Sequence, residues 1–440
     1  MSGPMTMQPT WFGHPRGLTI LFLTNMWEQF SYYGMRALLV YFMTKELLFA
    51  QAQASFIYGA YTAAAYFTPI LGGVLADRWL GKRRAIVIGA SVMAAGHFMM
   101  AFDAFFFVAL ATIALGNGLF LPTLPSQVGD LYARTDARRG WAFNVYYVGI
   151  NIGGFLAPLL CGTIGELYGW HYGFGLAGIG MVLGLVIYIA GQRYLPPEAP
   201  RNAAAAQTMD DGAPRSLGRE TVLVLLGIGV AVTVFRAAYE QVGNTVALWA
   251  DSGVDRTLGD WTIPMTWFQS LNPLFVMLLT PPLLAYWHRR AAAGVDQAPL
   301  RRMACGALIV AGAYLLLATA GWNAGGSEGS ATGWIWLVLF FLVLTIGELF
   351  ILPTGLGLFA RLAPRHLGST TVAAWFLVTF AGSLSAGLVG GLWSRFTPGV
   401  FFALLAALAT IAAGLLWRLD GPMRHADRLH AGGVPAGANA

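Results

Sequence analysis

The stretch GGVLADRWLGKRRA, from Gly72 to Ala85, ends one apolar run, turns through a short basic loop and begins the next apolar run. Gly73 is predicted to let a neighbouring helix approach closely, because glycine has no Cβ. Asp77 is expected to brace the end of a neighbouring helix, and the basic residues are expected to stay on the cytoplasmic side of a membrane. An ordinary basic loop would explain the charges alone. The Gly/Asp/Gly framework favours two membrane helices joined in a defined way.

The composition agrees with a membrane protein. The 440-residue chain is 57% hydrophobic and 10% charged, with a mean hydropathy of +0.62, whereas soluble chains are about 45–50% apolar. No cleavable signal pattern precedes the first apolar run, which contains Glu28 and Arg36 and is therefore interpreted as a retained span. The two cysteines, Cys161 and Cys305, lie alone in apolar segments, so no disulfide is expected.

Apolar runs of about 20 residues, the length that crosses a bilayer, recur along the chain. They predict an all-α membrane protein with twelve transmembrane helices. The predicted runs are 18–43, 53–76, 85–102, 104–125, 141–162, 172–194, 221–249, 262–287, 302–321, 334–360, 368–393 and 398–417.

The distribution of basic residues orients these runs. With the N-terminus placed in the cytoplasm, most of the 26 Lys and Arg residues fall in predicted cytoplasmic segments. The exceptions are Lys45, Arg256 and Arg395 on the other side, and Arg36 and Arg236 inside apolar runs. This asymmetry is the positive-inside pattern, and it supports an even number of spans with both termini cytoplasmic. It also explains the pI of 9.4 without a nucleic-acid partner.

A polar stretch rich in Pro and Ala separates two halves of six predicted spans each, and it is interpreted as a cytoplasmic linker. The predicted segments are a cytoplasmic N-terminus (1–17), an N-terminal six-helix bundle (18–195), the linker (196–220), a C-terminal six-helix bundle (221–418) and a disordered cytoplasmic tail (419–440). Two such halves are typical of secondary transporters, which bind substrate near the midplane of the membrane.

Five charged residues lie inside the apolar runs: Glu28, Arg36, Arg236, Glu240 and Glu348. A charge at the centre of a bilayer costs about 2.5–3.5 kcal/mol on insertion scales, so charges placed there usually face a polar cavity. In the first span, Glu28, Tyr32 and Arg36 are spaced four residues apart, which places them on one helix face. A shared polar cavity is therefore the predicted working site.

Several stretches carry a resemblance to known transporters. The loop at Gly72–Ala85 resembles the signature G-x-x-x-D-R-x-G-x-R-R of the major facilitator superfamily, with one extra residue. The first span, NMWEQFSYYGMRALLVYF (Asn25–Phe42), resembles the signature E-x-x-E-R-F-x-Y-Y of the proton-dependent oligopeptide transporters, the POT/PTR branch of that superfamily. Further matching stretches are Gly118–Tyr132, Phe143–Pro158, Phe235–Asn244, Phe268–Phe275, Gly347–Leu358 and Ala373–Gly382.

The resemblance implies roles for particular residues. Glu348 would engage the free amino group of a peptide, and Asn151 and Asn272 would hold its backbone. Arg36 would face Glu240 in a gating ion pair between the halves. The aromatic positions of the implied pocket are Tyr32, Tyr33, Tyr66 and Trp375. Such a pocket suits peptides, since charges bind the termini and aromatic walls accept varied side chains.

Structural roles are the alternatives for some of these residues. Asn151 and Asn272 could serve only to link helices by hydrogen bonds. Tyr66 and Trp375 could be packing or interfacial aromatic residues.

The chain departs from the family signature at three positions. Asn25 replaces the first acid, Gln29 replaces the arginine, and Leu121 replaces a fourth-span lysine. One base is added: Arg236 lies four residues before Glu240, where the two side chains can pair within the helix.

Three acids and two bases remain inside the spans, so one carboxylate lacks a fixed basic partner. Such a carboxylate tends to bind a proton. The predicted proton-coupling residues are Glu28, Glu240 and Glu348, and Glu348 is favoured slightly because its expected lysine partner is missing. Arg36, helped by Arg236, is predicted to receive the peptide carboxylate.

The leading functional prediction is a proton-coupled symporter that moves di- and tripeptides into the cell. It would lie as a monomer in the lipid bilayer of the plasma (inner) membrane. The alternatives are a drug/proton antiporter or exporter, and an uncoupled peptide carrier or sensor. The sequence contains no HExxH, nucleophile elbow or phosphate loop, so no enzyme activity, metal or cofactor is expected.

Overall fold

The computed structural model describes residues 10–11, 13–133, 135–198, 219–294, 298–324, 332–362 and 368–431, and most of them are helical. The α-helices are α1 (Arg16–Tyr41), α2 (Gln51–Leu75), α3 (Lys82–Met99), α4 (Phe106–Phe120), α5 (Thr123–Asp130), α6 (Arg138–Ala157), α7 (Thr163–Tyr168), α8 (Trp170–Gly191), α9 (Arg219–Tyr239), α10 (Thr245–Ser252), α11 (Leu271–Ala292), α12 (Pro299–Ala324), α13 (Ile335–Leu362), α14 (Gly368–Gly390) and α15 (Pro398–Ala431).

Short helical turns extend or join these helices. The π-helical turns are Phe42–Glu46, Ala76–Leu80 and Pro158–Gly162, and the 3₁₀ turns are Asp103–Phe105, Gln192–Tyr194, Glu240–Gly243, Met265–Ser270 and Trp393–Arg395. The strands are β1 (Thr10–Trp11), β2 (His14–Pro15), β3 (Val254–Asp255), β4 (Thr257–Leu258), β5 (Trp261–Thr262) and β6 (Thr332–Gly333). Strands β1 and β2 pair antiparallel, as do β4 and β5, and β3 pairs parallel with β6.

Each predicted apolar run coincides with helix in the described residues. Eight of the described helical segments are long and apolar enough to cross a membrane by length and composition, and Ile335–Ile351 is a shorter apolar helix. The chain is therefore an all-α membrane protein, as predicted. The run at 104–125 is interrupted between α4 and α5, because Pro122 lacks the N–H that a continuous α-helix uses.

The chain forms two compact units. Unit 1 consists of Met1–Leu48, Ala64–Gln207 and Pro264–Leu274, and unit 2 consists of Phe49–Ala63, Thr208–Ile263 and Phe275–Ala440. This division departs from the predicted division at the linker in two places. The first part of α2 belongs to unit 2, and the segment Pro264–Leu274 belongs to unit 1. Each of these segments packs with helices from the other half of the sequence. Most of the predicted linker, at 199–218, lies outside the described residues.

Unit 1 is built around α1, which packs against α6 and α8. Its core combines buried side chains from several helices, among them Leu21, Met93, Phe120, Met181 and Tyr188. The close approach predicted at Gly73 lies one residue earlier. A Cβ at Gly72 would overlap the backbone of Gly118 in α4, whereas a Cβ at Gly73 would lie at an ordinary 3.7 Å from Pro122.

The basic loop between α2 and α3 contacts the ends of two other helices of unit 1. Lys82 Nζ lies 2.5 Å from Asp130 Oδ2 at the end of α5. The Arg83 guanidinium donates hydrogen bonds of 2.9 Å to the carbonyl oxygens of Leu195 and Pro196, just beyond α8. Asp77, predicted to brace a neighbouring helix, is exposed. Lys82 and Arg83 therefore make the bracing contacts.

Unit 2 has an aromatic core. Trp249 packs edge-to-face against Phe402, with ring centroids 5.2 Å apart, and Tyr314 stacks on the same ring at 6.5 Å. The Tyr314 hydroxyl donates a hydrogen bond of 2.6 Å to the carbonyl oxygen of Ala238, which satisfies its buried polar atom. This core joins α10, α12 and α15.

The last helix is longer than predicted. Helix α15 continues to Ala431, so the predicted disordered tail (419–440) begins as helix, and residues 432–440 lie outside the described residues. Asp420 is 5% exposed. Its Oδ2 lies 2.8 Å from Arg301 Nε and 3.0 Å from Nη2 of Arg424, one turn later in the helix. These two charge pairs lie beyond the end of the predicted apolar run at 417, and one of them joins residues one helical turn apart.

Candidate functional site

The first-span acid, Glu28, is buried in unit 1 with an exposed fraction of 1%. The Gln29 side-chain amide donates a hydrogen bond to Glu28 Oε2 across 2.7 Å. Gln29 is itself 8% exposed, so the bond lies inside the protein. The carboxylate is thus held by a neutral group at the position where the family signature has an arginine.

Asn25, which replaces the first acid of the signature, makes a structural contact. Its Nδ2 donates a hydrogen bond of 3.2 Å to the carbonyl oxygen of Tyr146 in α6. A Cβ at Gly153 would overlap the carbonyl of Met26, so the two helices cross closely at this level. Asn25 therefore links α1 to α6, the helix that carries Asn151.

The two predicted asparagines lie in the same unit, although they come from different halves of the sequence. Asn151 is 7% exposed, and its Nδ2 donates a hydrogen bond of 2.9 Å to the carbonyl oxygen of Tyr147 one turn earlier. Asn272 is half-buried at the second position of α11. The next residue, Pro273, lies 3.6 Å from the position that a Cβ of Gly154 would occupy. The start of α11 therefore packs directly on α6.

The aromatic candidates of unit 1 lie on α1 and α2. Tyr32 and Tyr33 pack edge-to-face, with ring centroids 5.4 Å apart at an angle of 81°. Tyr32 is 9% exposed, and Tyr33 and Tyr66 are half-buried. Next to Tyr66, the carbonyl oxygen of Ala65 accepts a hydrogen bond of 2.8 Å from Asn117 Nδ2, which ties α2 to α4.

In unit 2, Arg236 and Glu240 form a buried ion pair between Nη2 and Oε1, with exposed fractions of 5% and 2%. The spacing of four residues predicted this pair, and the structure confirms it. A Cβ at Gly382 would overlap the stem of Arg236, so this arginine packs tightly against α14. The predicted gate partner of Glu240, Arg36, belongs to unit 1, and their pairing stays a prediction.

The remaining candidates of unit 2, Glu348 and Trp375, lie on α13 and α14. Glu348 is 7% exposed and follows Gly347, whose missing Cβ lets the backbone of Gly306 in α12 approach. A Cβ at Gly355 would overlap the ring of Trp375, so this indole packs on the backbone of α13, two turns after Glu348. Unit 2 therefore combines a buried acid with an aromatic side chain on adjacent helices.

A polar network in unit 2 joins the start of α2 to the 3₁₀ turn that follows α9. Gln51 Nε2 donates hydrogen bonds to Ser55 Oγ at 2.7 Å and to the carbonyl oxygen of Gly390 at 2.9 Å. Ser55 Oγ donates to Asn244 Oδ1 at 2.9 Å, and Asn244 Nδ2 donates to Gln241 Oε1 at 3.3 Å. The sequence prediction missed this network. Gln241 and Asn244 lie in the matching stretch Phe235–Asn244, but nothing local pointed to their partners in α2.

In the part of the chain that the structure describes, no group of three or more His, Cys, Asp and Glu side chains could hold a metal ion. The five charged residues of the predicted site lie on several helices: Glu28 and Arg36 on α1, Arg236 at the end of α9, Glu240 just after it, and Glu348 on α13. Arg36 is half-buried, and the other four are buried.

Sequence comparison identifies the family. The family model described as PTR2, the POT family, matches residues 83–211 and 215–413. The chain belongs to the POT family. This POT-family protein is therefore a multi-pass membrane transporter and not an enzyme.

Individual relatives of the POT-family chain agree. The peptide transporter YePEPT of Yersinia enterocolitica is 33% identical over 452 residues, which cover 87% of this chain and 88% of the relative. The di-/tripeptide transporter of Lactococcus lactis subsp. cremoris is 32% identical over 488 residues, which cover 94% of this chain and 97% of the relative. The crystal structure of a peptide transporter POT in complex with sulfate superposes with a TM-score of 0.84 at 30% identity. The superposition covers 96% of this chain and 97% of that structure's chain.

Proposed function

We propose that this POT-family chain is a proton-coupled symporter that carries di- and tripeptides into the cell by alternating access. The observation that carries the proposal is the buried Glu28 carboxylate, which has the neutral Gln29 amide as its hydrogen-bond donor. A buried carboxylate within a transporter can take and release a proton as its surroundings change. The relatives named as peptide and di-/tripeptide transporters support the substrate class.

Peptide recognition is assigned to both units. Glu348 binds the peptide amino group, and Asn151 and Asn272 bind the peptide backbone. The aromatic side chains Tyr32, Tyr33, Tyr66 and Trp375 form the walls that accept varied peptide side chains.

The peptide carboxylate is assigned to Arg36. Arg236 is a weaker candidate than the sequence suggested, because it already forms a buried ion pair with Glu240. Removing one partner from a buried pair leaves an uncompensated charge, so Arg236 would bind a peptide only if Glu240 were neutralised or paired elsewhere.

The membrane placement is part of the same proposal. The chain lies in the plasma (inner) membrane as a monomer, with both termini in the cytoplasm, because basic residues concentrate in the segments on that side. Exposed apolar side chains on the helices supply the lipid-facing surface, among them Phe107, Leu115, Val186, Leu226, Leu278 and Leu388.

An uncoupled peptide carrier is the second candidate, and one observation favours it. Gln29 stands where the family signature has an arginine, so the charge partner expected for Glu28 is replaced by an amide. Such a carrier would move peptides down their own gradient without using a proton gradient.

Uptake into liposomes separates the two candidates. Purified protein is reconstituted, and uptake of labelled Ala-Ala is measured with and without an imposed proton gradient. A symporter accumulates the peptide above its outside concentration when the lumen is alkaline. An uncoupled carrier equilibrates the peptide in both conditions, and a protein that moves no peptide contradicts both candidates.

A further inference from the structure

Glu166, a residue outside the predicted site, holds the segment that leads into α11. This segment is the 3₁₀ turn Met265–Ser270, and it belongs to unit 1 together with α7. Glu166 Oε2 accepts a hydrogen bond of 3.0 Å from the backbone N–H of Met265. Glu166 Oε1 accepts the backbone N–H of Thr266 at 3.0 Å and its hydroxyl at 2.7 Å. These three hydrogen bonds form the Glu166 cap.

The Glu166 cap is a strong contact for physical reasons. The first N–H groups of a helical turn have no acceptor within the turn. A carboxylate satisfies them and also complements the positive end of the backbone dipoles. Met265 and Thr266 are 4% and 0% exposed, so water does not compete at the donors. Because both carboxylate oxygens accept hydrogen bonds, they fix the orientation of the turn as well as its distance from α7.

The rest of the turn is held by the same unit. Trp267 Nε1 donates a hydrogen bond of 2.7 Å to Thr163 Oγ1, one turn before Glu166. Ser270 Oγ donates to the carbonyl oxygen of Phe155 in α6 at 2.8 Å. Packing adds to these bonds, because a Cβ at Gly162 would overlap the side chain of Thr266. The 3₁₀ turn therefore packs closely on the π-helical turn that follows α6.

Asn272 follows this turn directly. It lies two residues after Ser270, and its neighbour Pro273 packs on Gly154, less than one turn from Asn151. The orientation of the first turn of α11 is therefore set by the contacts that precede it. We propose that Glu166 is a positioning residue for peptide binding, which holds the Asn272 amide beside the helix that carries Asn151. This inference rests on the proposed role of Asn272 in binding the peptide backbone.

The test is the variant Glu166→Gln. Glutamine has the same shape, but its NH₂ group faces backbone N–H and hydroxyl donors, so part of the cap is lost. The KM of labelled Ala-Ala uptake into liposomes is expected to rise about tenfold, while the maximal rate changes less than about twofold. Glu46→Gln is the matched control, because Glu46 is exposed at the end of the turn that follows α1. Its KM is expected to stay at the wild-type value.

A double-mutant cycle shows whether Glu166 acts through Asn272. Asn272→Ala alone is expected to raise the KM. In that background, Glu166→Gln is expected to add less than about a further twofold, because residues acting through one contact are not additive. Thr266→Val removes the hydroxyl donor and keeps the shape and the backbone N–H. It is expected to raise the KM about threefold, and it gives a second measurement if Glu166→Gln does not fold.

Three outcomes would overturn the inference. The first is an unchanged KM in folded Glu166→Gln and Thr266→Val. The second is the same rise for Glu166→Gln with and without Asn272, which would make the effect independent of the asparagine. The third is an unchanged KM in Asn272→Ala, which would remove the role on which the inference rests. A wild-type protein that takes up no peptide would overturn the proposed function as well, whereas the first two outcomes leave that function standing.

Discussion

The side-chain amide of Gln29 donates a hydrogen bond of 2.7 Å to the carboxylate of Glu28, which is 1% exposed. An amide orients a carboxylate without compensating its charge. The family signature has an arginine at this position, and an arginine would both orient the carboxylate and compensate its charge. At this pair, the proton coupling of the chain is therefore expected to differ from that of a transporter that has the arginine.

Glu28→Gln is expected to abolish uptake driven by a proton gradient while peptide exchange between the two sides persists. The variant keeps the side-chain shape and a hydrogen-bond acceptor for Gln29, but it cannot take or release a proton. Accumulation of labelled Ala-Ala in liposomes and counterflow in the same liposomes are measured side by side. Glu348→Gln is measured in parallel, because Glu348 is the other candidate carrier. The proton-coupling hypothesis fails if both variants still accumulate peptide.

Arg236→Leu is expected to destabilise the protein by about 3–5 kcal/mol, because it removes one partner of a buried ion pair. The double variant Arg236→Leu/Glu240→Gln is expected to recover most of this loss, since the remaining group is neutral. Thermal unfolding of the purified protein in detergent measures both. Equal unfolding temperatures for the single and the double variant would show that the charge left on Glu240 is not what destabilises the single variant.

Arg36→Ala is expected to raise the KM for Ala-Ala at least about tenfold, the size of a lost charge-assisted hydrogen bond. Ala-Ala amide, which has no carboxylate, is expected to compete equally well against uptake by the wild type and by the variant. The matched control is Arg395→Ala, because Arg395 is exposed in a connection. An equal loss of affinity for the acid and the amide would contradict the assignment of Arg36 to the peptide carboxylate.

Gly59→Ala is expected to lower the unfolding temperature. A Cβ at Gly59 would overlap the backbone of Gly387 in α14, and both residues belong to unit 2. Forcing a methyl group into such a contact costs about 1–3 kcal/mol. Gly312→Ala in α12 is the matched control, because a Cβ there meets nothing within 4 Å. It should be neutral or stabilising by up to about 1 kcal/mol, and an equal effect of the two variants would show that the contact between α2 and α14 is not tight.

Local spacing predicted two arrangements within single helices. The four-residue spacing of Arg236 and Glu240 predicted an ion pair within one helix, and the structure has that pair. The same spacing placed Glu28, Tyr32 and Arg36 on one face of α1. These predictions need only the spacing of residues along the chain, because residues four positions apart lie on the same face of an α-helix.

Other features depend on residues that are far apart in the chain. Thr266 bonds to Glu166 across 100 positions, and Ser55 bonds to Asn244 across 189 positions. The residues that meet in such contacts have no shared local pattern, so a single sequence does not identify the partners. The same reason explains why Gly72 rather than Gly73 is the tight contact, since that depends on how α4 passes α2.

The sequence by itself determined the membrane class, the helical runs, the family and the charges inside the apolar runs, because hydropathy, charge placement and short motifs are properties of neighbouring residues. The tertiary structure alone decided how segments from the two halves are shared between the units. It brought Asn272 into the same unit as Asn151, buried the hydrogen bond between Gln29 and Glu28, and placed Glu166 against the 3₁₀ turn that leads into α11. These outcomes are set by the packing of whole helices, which must bury polar groups with partners and admits close contact where glycine leaves room.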